Sequence, residues 1–194
     1  MPLGAARFGF QSGKSFIEAT GGNAINTYTE GGVNYKAHVF TASGNFVVSS
    51  LGSDGATQIL LVAGGGSAGG GNGDPNSAGG GGAGAYVIDT LTFSSIGTYP
   101  IVIGAGGAQV SHANVGNQGN SSQIQAIGGG SNLKQGNGGG RGADPGGVGG
   151  NSGDPNGGSG GGSGGTNTGT SSGGSKGNNG GPGDGGDRAG GGGG

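Results

Sequence analysis

The chain has 194 residues, 62 of them glycine, with a formal net charge of -2 and 8% charged residues. Glycine far exceeds the ordinary globular share of about 7%, and the weak negative charge leaves neither a basic footprint for nucleic acid nor a polybasic patch for a membrane surface. Collagen is also excluded: its triple helix needs Gly at every third position with abundant proline, whereas 146–162 breaks that register and the chain has only 6 prolines.

Taken in chain order, the start "MPLGAARFGF" lacks the apolar core of a signal peptide, and no run approaches 18 apolar residues. A soluble chain without secretory routing or membrane insertion is therefore expected. Short runs rich in β-branched or aromatic residues follow at 15–20, 33–40, 45–50, 57–63, 85–93, 99–105 and 121–127, separated by Gly, Asn and Ser. These predict strands. Within 33–40, Val33, Tyr35, Ala37 and Val39 alternate with Asn34, Lys36 and His38, which predicts one packed and one wet face. "TASGN" (41–45) is expected to turn that strand back as a hairpin into Phe46 and Val48. In 85–93, Val87, Leu91 and Phe93 oppose Tyr86 and Ile88, a pattern of strands buried on both sides, as in a sandwich or an intertwined trimer. No segment has a 3.6-residue period, so almost no α-helix is expected.

"ILLVAGGGSAGGG" (59–71) carries an aliphatic strand straight into a stretch without side chains to bury. From Gly128 onward, 34 of 67 residues are Gly and the large aliphatics are Leu133 and Val148. Ordering each residue costs about 1 to 2 kcal/mol, which two aliphatic side chains cannot offset. Composition alone fits either a flexible Gly/Ser linker or an ordered segment; if ordered, it is held by its backbone, as left-handed threefold helices of polyglycine II geometry packed side by side. The strand at 59–63 is expected to continue as such a helix. Turns are expected where helices reverse: Asp74-Pro75, Asp144-Pro145 and Asp154-Pro155, with Asp capping the following backbone and Pro presetting φ. The fold class is thus an all-β N-terminal part of short antiparallel strands, then a glycine-rich domain of β-strands and packed polyglycine II helices. The expected boundaries are 1–56 and 57–194.

Catalytic and ligand motifs are not found. "GFQSGKS" (9–15) falls one residue short of a phosphate loop, with Phe8 where Gly is required. "GGNGD" and "GGNSGD" are similar to calcium-binding nonapeptides, but Pro75 and Pro155 stand where an aliphatic residue is needed. His38 and His112 are expected at the solvated surface, and no carboxylate pair or nucleophile elbow is framed. No enzymatic activity, cofactor or metal is expected. A chain without cysteine has no disulfide scaffold or thiolate site. Ice binding would need a flat, regular face, which the irregular Asn, Asp and Ser placements oppose.

The order of "ILLVAGGGSAGGG", "GGGGAGAYV" (79–87), "YPIVIGAGGA" (99–108) and "GNQGNSSQIQAIGGG" (116–130) resembles the glycine-rich domain of bacteriophage tail fibres and adhesins, abundant in marine phages and particularly those of cyanobacteria. The segments before residue 59 resemble what precedes that domain in such virion proteins. The resemblance implies a sandwich of glycine helices at a fibre tip whose loops meet the host surface. It also implies a homo-oligomer, with a trimer as the expected state, bound to other virion proteins and to a host glycan or protein receptor. The N-terminal residues Pro2, Leu3, Arg7, Phe8 and Phe10 become a candidate virion-docking arm. A purely architectural capsid decoration or fibre protein is the alternative expectation. Ser67 and Ala68 interrupt the first glycine run, so that helix either kinks or carries Ala68 outward. The chain breaks off within "GGGG" without a closing strand, from which continuation beyond residue 194 is expected.

Overall fold

The computed structural model describes residues 15–53, 55–72, 77–152 and 156–194. Among them there is no helix, and nine strands form: β1 (Glu18–Thr20), β2 (Ala24–Glu30), β3 (Val33–Val39), β4 (Gly44–Ser50), β5 (Ala56–Val62), β6 (Tyr86–Thr92), β7 (Gly97–Val102), β8 (Ser122–Gln125) and β9 (Asn132–Gly136). One five-stranded sheet runs β1-β4-β7-β8-β9, and β2-β3 and β5-β6 form two-stranded sheets. All pairings are antiparallel. The large sheet thus joins β1 and β4, from the first 56 residues, to three strands from beyond them.

The β5-β6 pair lies over the large sheet, and their facing side chains make the apolar core. Leu61, Val87, Leu91 and Phe93 meet Phe46, Val48, Tyr99, Ile101 and Ile124. The Phe93 ring sits 5.4 Å from Phe46 and 4.6 Å from Tyr99, the latter edge-on. Burying these rings and aliphatics supplies the hydrophobic part of the folding free energy.

Two hairpin expectations change. β3 pairs with β2, from Ala24↔Val39 to Glu30↔Val33, and not with β4. The cause is Gly31-Gly32, whose φ of 58° and 78° suit the tight two-residue turn that matches strand twist. Residues 41–45 instead redirect the chain to β4, which pairs with β1 and β7. The Val33/Tyr35 face, expected to be packed, is uncovered. The opposite face touches the body, through His38, whose Nδ1 lies 2.8 Å from the Gly21 carbonyl and whose ring meets Phe46 edge-on at 5.2 Å. His38 is therefore a half-buried anchor and not a solvated side chain.

Beyond the strands, the backbone changes period. Strand amides point to alternate sides, a period of two. From Ala63 the period becomes three: the amides of Ala63, Gly66 and Gly69 donate to Ala85, Gly82 and Gly79, while those of Gly64, Ser67 and Gly70 donate to Asn120, Asn117 and Asn114. The same spacing recurs throughout the glycine-rich part, in ten extended ribbons among the described residues: 63–71, 77–85, 103–110, 114–121, 137–143, 147–152, 157–165, 169–174, 177–183 and 188–194. Their glycines have no φ in the positive range, as in left-handed polyglycine II. Ala68 points outward and the ladder passes it unbroken.

Ribbon 7 (157–165) is the hub, and all nine of its residues are buried. Its amides from Ser159 to Gly165 donate in strict rotation to ribbons 2, 9 and 6, at Ala83, Asn178, Gly150, Gly80, Gly181, Gly147 and Ser77. Its carbonyls accept from ribbons 5, 8 and 10, for example Ser159 O from Gly140, Gly158 O from Gly174 and Ser163 O from Gly190. One ribbon is thus enclosed by others on every side, held by main-chain bonds each worth about 0.5 to 1.5 kcal/mol net.

Such spacing leaves no room for side chains. A Cβ built on Gly161 would overlap the Arg141 carbonyl oxygen, and one on Gly162 that of Gly190, both inside the 3.0 Å that real Cβ contacts essentially never breach. Where a hydroxyl fits, serine replaces glycine and bonds the neighbouring backbone: buried Ser171 Oγ donates to Gly161 O, and Ser163 Oγ to Gly169 O. At the border between strands and ribbons, Ser122, 1% exposed, donates from Oγ to Val62 O at 2.7 Å and accepts from Gly104 N at 2.9 Å.

Two outcomes follow for thermal melting. Gly161→Ala is expected to lose about 3 kcal/mol by overpacking against backbone that cannot yield, whereas Gly191→Ala, with nothing within 4 Å of the added carbon, stays within about 0.5 kcal/mol of the parent. Equal losses at both sites would contradict the close-packed lattice. Ser122→Ala leaves a part-buried carbonyl and amide unpaired and is expected to cost about 1 to 2 kcal/mol, read as a lower urea midpoint at unchanged slope.

Candidate functional site

The direction of each ribbon decides where its turns lie. Ribbon 1 leaves the strands from β5, and ribbon 2 returns antiparallel to it into β6. Ribbon 3 leaves from β7 and ribbon 4 returns into β8. Ribbon 5 runs parallel to ribbon 1, since Gly139 and Gly142 donate to Gly64 and Ser67. Ribbon 7 runs parallel to ribbon 5 and ribbon 9 parallel to ribbon 7, while 6, 8 and 10 return. Every outward pass therefore ends at the same face, far from the sandwich. Among the described residues, the turns there span 111–113, 144–146, 166–168 and 184–187.

Hydrogen bonds tie these turns to the lattice and to each other. At 144–147, Gly147 N donates to Asp144 O at 3.1 Å, with Pro145 buried inside the turn. Thr166 reaches across to Pro145 O with both its amide, at 3.2 Å, and its hydroxyl, at 2.9 Å. Asn167 Nδ2 donates to Gly146 O at 3.3 Å, and Asn167 O accepts from Gly183 N. At 111–114 the Asn114 amide group donates to the Ser111 and His112 carbonyls. Ala113 there holds φ 57°, a conformation that L-residues adopt at a cost. His112 is exposed at this tip, as expected.

Asp184 closes the last turn. Its Oδ1 accepts from Gly186 N at 2.9 Å and Arg188 N at 3.1 Å. Those two amide bonds, with the Arg188 charge adding a smaller pull, hold its carboxyl below the ordinary aspartate range. Asp184 was not among the expected turn residues, although "DGGD" (184–187) carries the signal: an aspartate bonds the amide two residues on, and glycines permit the reversal.

Of the six candidate turn residues, Asp144 and Pro145 fall in the far-end turns. Asp74, Pro75, Asp154 and Pro155 lie outside the described residues, as do the docking-arm positions Pro2, Leu3, Arg7, Phe8 and Phe10. No three His, Cys, Asp or Glu side chains converge for a metal among the described residues, and no described helix is long and apolar enough to cross a membrane. A cleft of about 250 Å³ opens at the opposite, strand end, lined by Phe93, Tyr99, Ile127 and Leu133.

A strand sandwich continued by bonded glycine ribbons defines an all-β, glycine-rich class of domain. Residues 41–194 match the family described as Glycine-rich domain, and the chain belongs to that family. No curated protein and no solved structure matches it.

The Asp184 cap sets a pH dependence. Because its folded pKa is depressed, its contribution is present above the unfolded value of about 4 and is lost as pH falls through the folded value. The amide resonances of Gly186 and Arg188 are expected to move together over that acid window, and in Asp184→Asn the movement disappears. Shifts that persist in the variant would assign the effect elsewhere.

Proposed function

We propose that the protein is a structural component of a bacteriophage virion, a tail fibre or tail-tip adhesin whose far-end turns recognise a glycan or protein on the host cell surface. The observation that carries this reading is the gathering of the outward turns on one face of a lattice closed by main-chain hydrogen bonds. Side chains there, among them His112, Thr168 and Asp187, are exposed, so a binding surface can be composed on them while the main-chain bonds beneath stay in place. Loops on a rigid scaffold are where recognition concentrates. The order of aliphatic strands and glycine runs, similar to that of phage fibre proteins, supports the same reading. Such a protein acts as a homo-oligomer, a trimer in this reading. It attaches to other virion proteins through the N-terminal arm, sits on the phage particle's tail or surface, and needs no catalysis or cofactor.

One observation favours a second, architectural reading as a capsid decoration or fibre protein. The described far-end turns contain no Phe, Tyr or Trp, the side chains that most often anchor recognition together with Arg. The two readings separate in a binding assay with purified protein at micromolar concentration on a panel of bacterial cells, cyanobacteria included. Adhesion is expected on at least one host, reduced at least tenfold in a His112→Ala, Thr168→Ala, Asp187→Ala triple variant with an unchanged melting temperature. Absence of binding on every host, or binding indifferent to the triple variant, removes the adhesive role. Removal of residues 1–14 is expected to release the protein from particles, and retention would count against the arm.

A further inference from the structure

Among the described residues, two apolar faces remain uncovered, on elements of the same size. The first is on the β2-β3 hairpin, where the register puts Tyr28 opposite Tyr35 and Glu30 opposite Val33 on one side. The two tyrosine rings stack at 5.1 Å, and Tyr28 is 49% exposed. All seven residues of β2 are exposed. A lone two-stranded hairpin is marginal in water, and among the described residues this one is fixed to the body at its base, by His38 on the opposite side.

The second face is the outer side of β5-β6. Leu60 pairs with Ile88 and Val62 with Tyr86, and these four side chains are 54% to 67% exposed. They form a contiguous block, since cross-strand partners stand within about 5.5 Å. The inner side of the same strands is core, so β5-β6 is apolar on both faces. That pattern belongs to strands covered on both sides.

We infer that the hairpin of one copy covers the β5-β6 outer face of the next, in a closed ring of identical chains. Each element has two strands of seven residues, about 23 Å at 3.3 Å per residue, so one layer lies along the other without overhang. The β5-β6 outer face carries no charge, and the hairpin's apolar face has one, Glu30, at its tip. The single charge lies at the edge of the paired layers, where water reaches it, and not in their middle. Because every copy gives one hairpin and receives one, both faces are covered in all copies and a closed ring leaves none free to polymerise. The inference rests on the homo-oligomer part of the proposed function, and not on the adhesive part.

Light scattering after size exclusion at about 10 µM, with cross-linking, tests it on the full chain. The parent is expected to run as a closed oligomer, and both Ile88→Asp and Tyr35→Asp as folded monomers. The chain has no cysteine, so Tyr28→Cys and Leu60→Cys give a clean cross-link test: an equimolar mixture of the two single variants is expected to form the mixed disulfide at least fivefold more than either variant alone. A monomeric parent overturns the inference. So does an assembly that Ile88→Asp breaks and Tyr35→Asp leaves intact, or a Leu60→Cys variant that cross-links to itself as well as to Tyr28→Cys, since each makes the partner another β5-β6 face. If an acidic variant fails to fold, the cysteine mixture alone decides. Host-cell binding by a monomer would separate failure of this inference from failure of the adhesive reading.

Discussion

A main-chain hydrogen bond between ribbons, repeated every third residue, is what the glycine-rich part depends on. In a strand the amides point alternately to two sides, so a sheet grows in one plane. In a threefold ribbon successive amides turn by 120°, as Ser159, Gly160 and Gly161 do toward ribbons 2, 9 and 6. A ribbon can therefore be bonded all round, and a solid is built from chain that has almost nothing apolar to bury. The cost is geometric. Carbonyl and amide must approach so closely that a methyl group has no place, and glycine is selected at those positions by distance, not by φ. The junction residue Ser122 shows the constraint from the other side: where the period passes from two to three, its hydroxyl bridges a carbonyl and an amide across the border.

The two halves share this backbone continuity but obtain stability differently. β5, β6, β7, β8 and β9 each run on from, or into, a ribbon, so sandwich packing fixes the register of the glycine lattice. Leu61 and Val87, locked in the core, set the alignment of ribbons 1 and 2, whose glycines could otherwise slide by three residues at little cost. Ribbons 6 to 10 have no strand of their own and take their register from ribbons 2 and 5. There the buried serines supply what apolar side chains supply elsewhere, a position-specific contact that a slipped register would lose.

Much of this was legible in the sequence because the signals were local. β-branched runs bounded by glycines predicted β1, β3, β6 and β8 in full and most of β4, β5 and β7, and the impossibility of a hydrophobic core after Gly128 pointed to backbone bonding. What was missed depended on partners. β2, "AINTYTE", has a weak strand pattern, yet Gly31-Gly32 beside it was a hairpin signal, and the reading of 41–45 as the turn overlooked it. β9, "NLKQG", offers only Leu133; it is a strand because β8 presents a ladder edge, which no property of its own residues announces. His38 alternates with apolar neighbours and so reads as wet, but its side of the hairpin is the one that meets Phe46. The far-end face was not legible from any single turn. It follows from the parity of ten passes, a property of the connected chain.

That parity also divides the molecule by the kind of contact each end can make. The ribbon end exposes backbone, short polar side chains and isolated apolar ones such as Val148, so an encounter there gains little from burial and must rely on directed hydrogen bonds. The strand end holds the large uncovered apolar side chains, Leu60, Tyr86 and Ile88 among them, and burial works there at roughly 25 cal/mol per Å². Stable association through the ribbons would require another chain to meet the same exclusion of side chains that Gly161 and Gly162 obey. Association through the strand layers requires only apolar area and a matching length, both present twice in the chain. In the proposed assembly, permanent contacts fall at the strand end, and the turns at the other end are left clear of them.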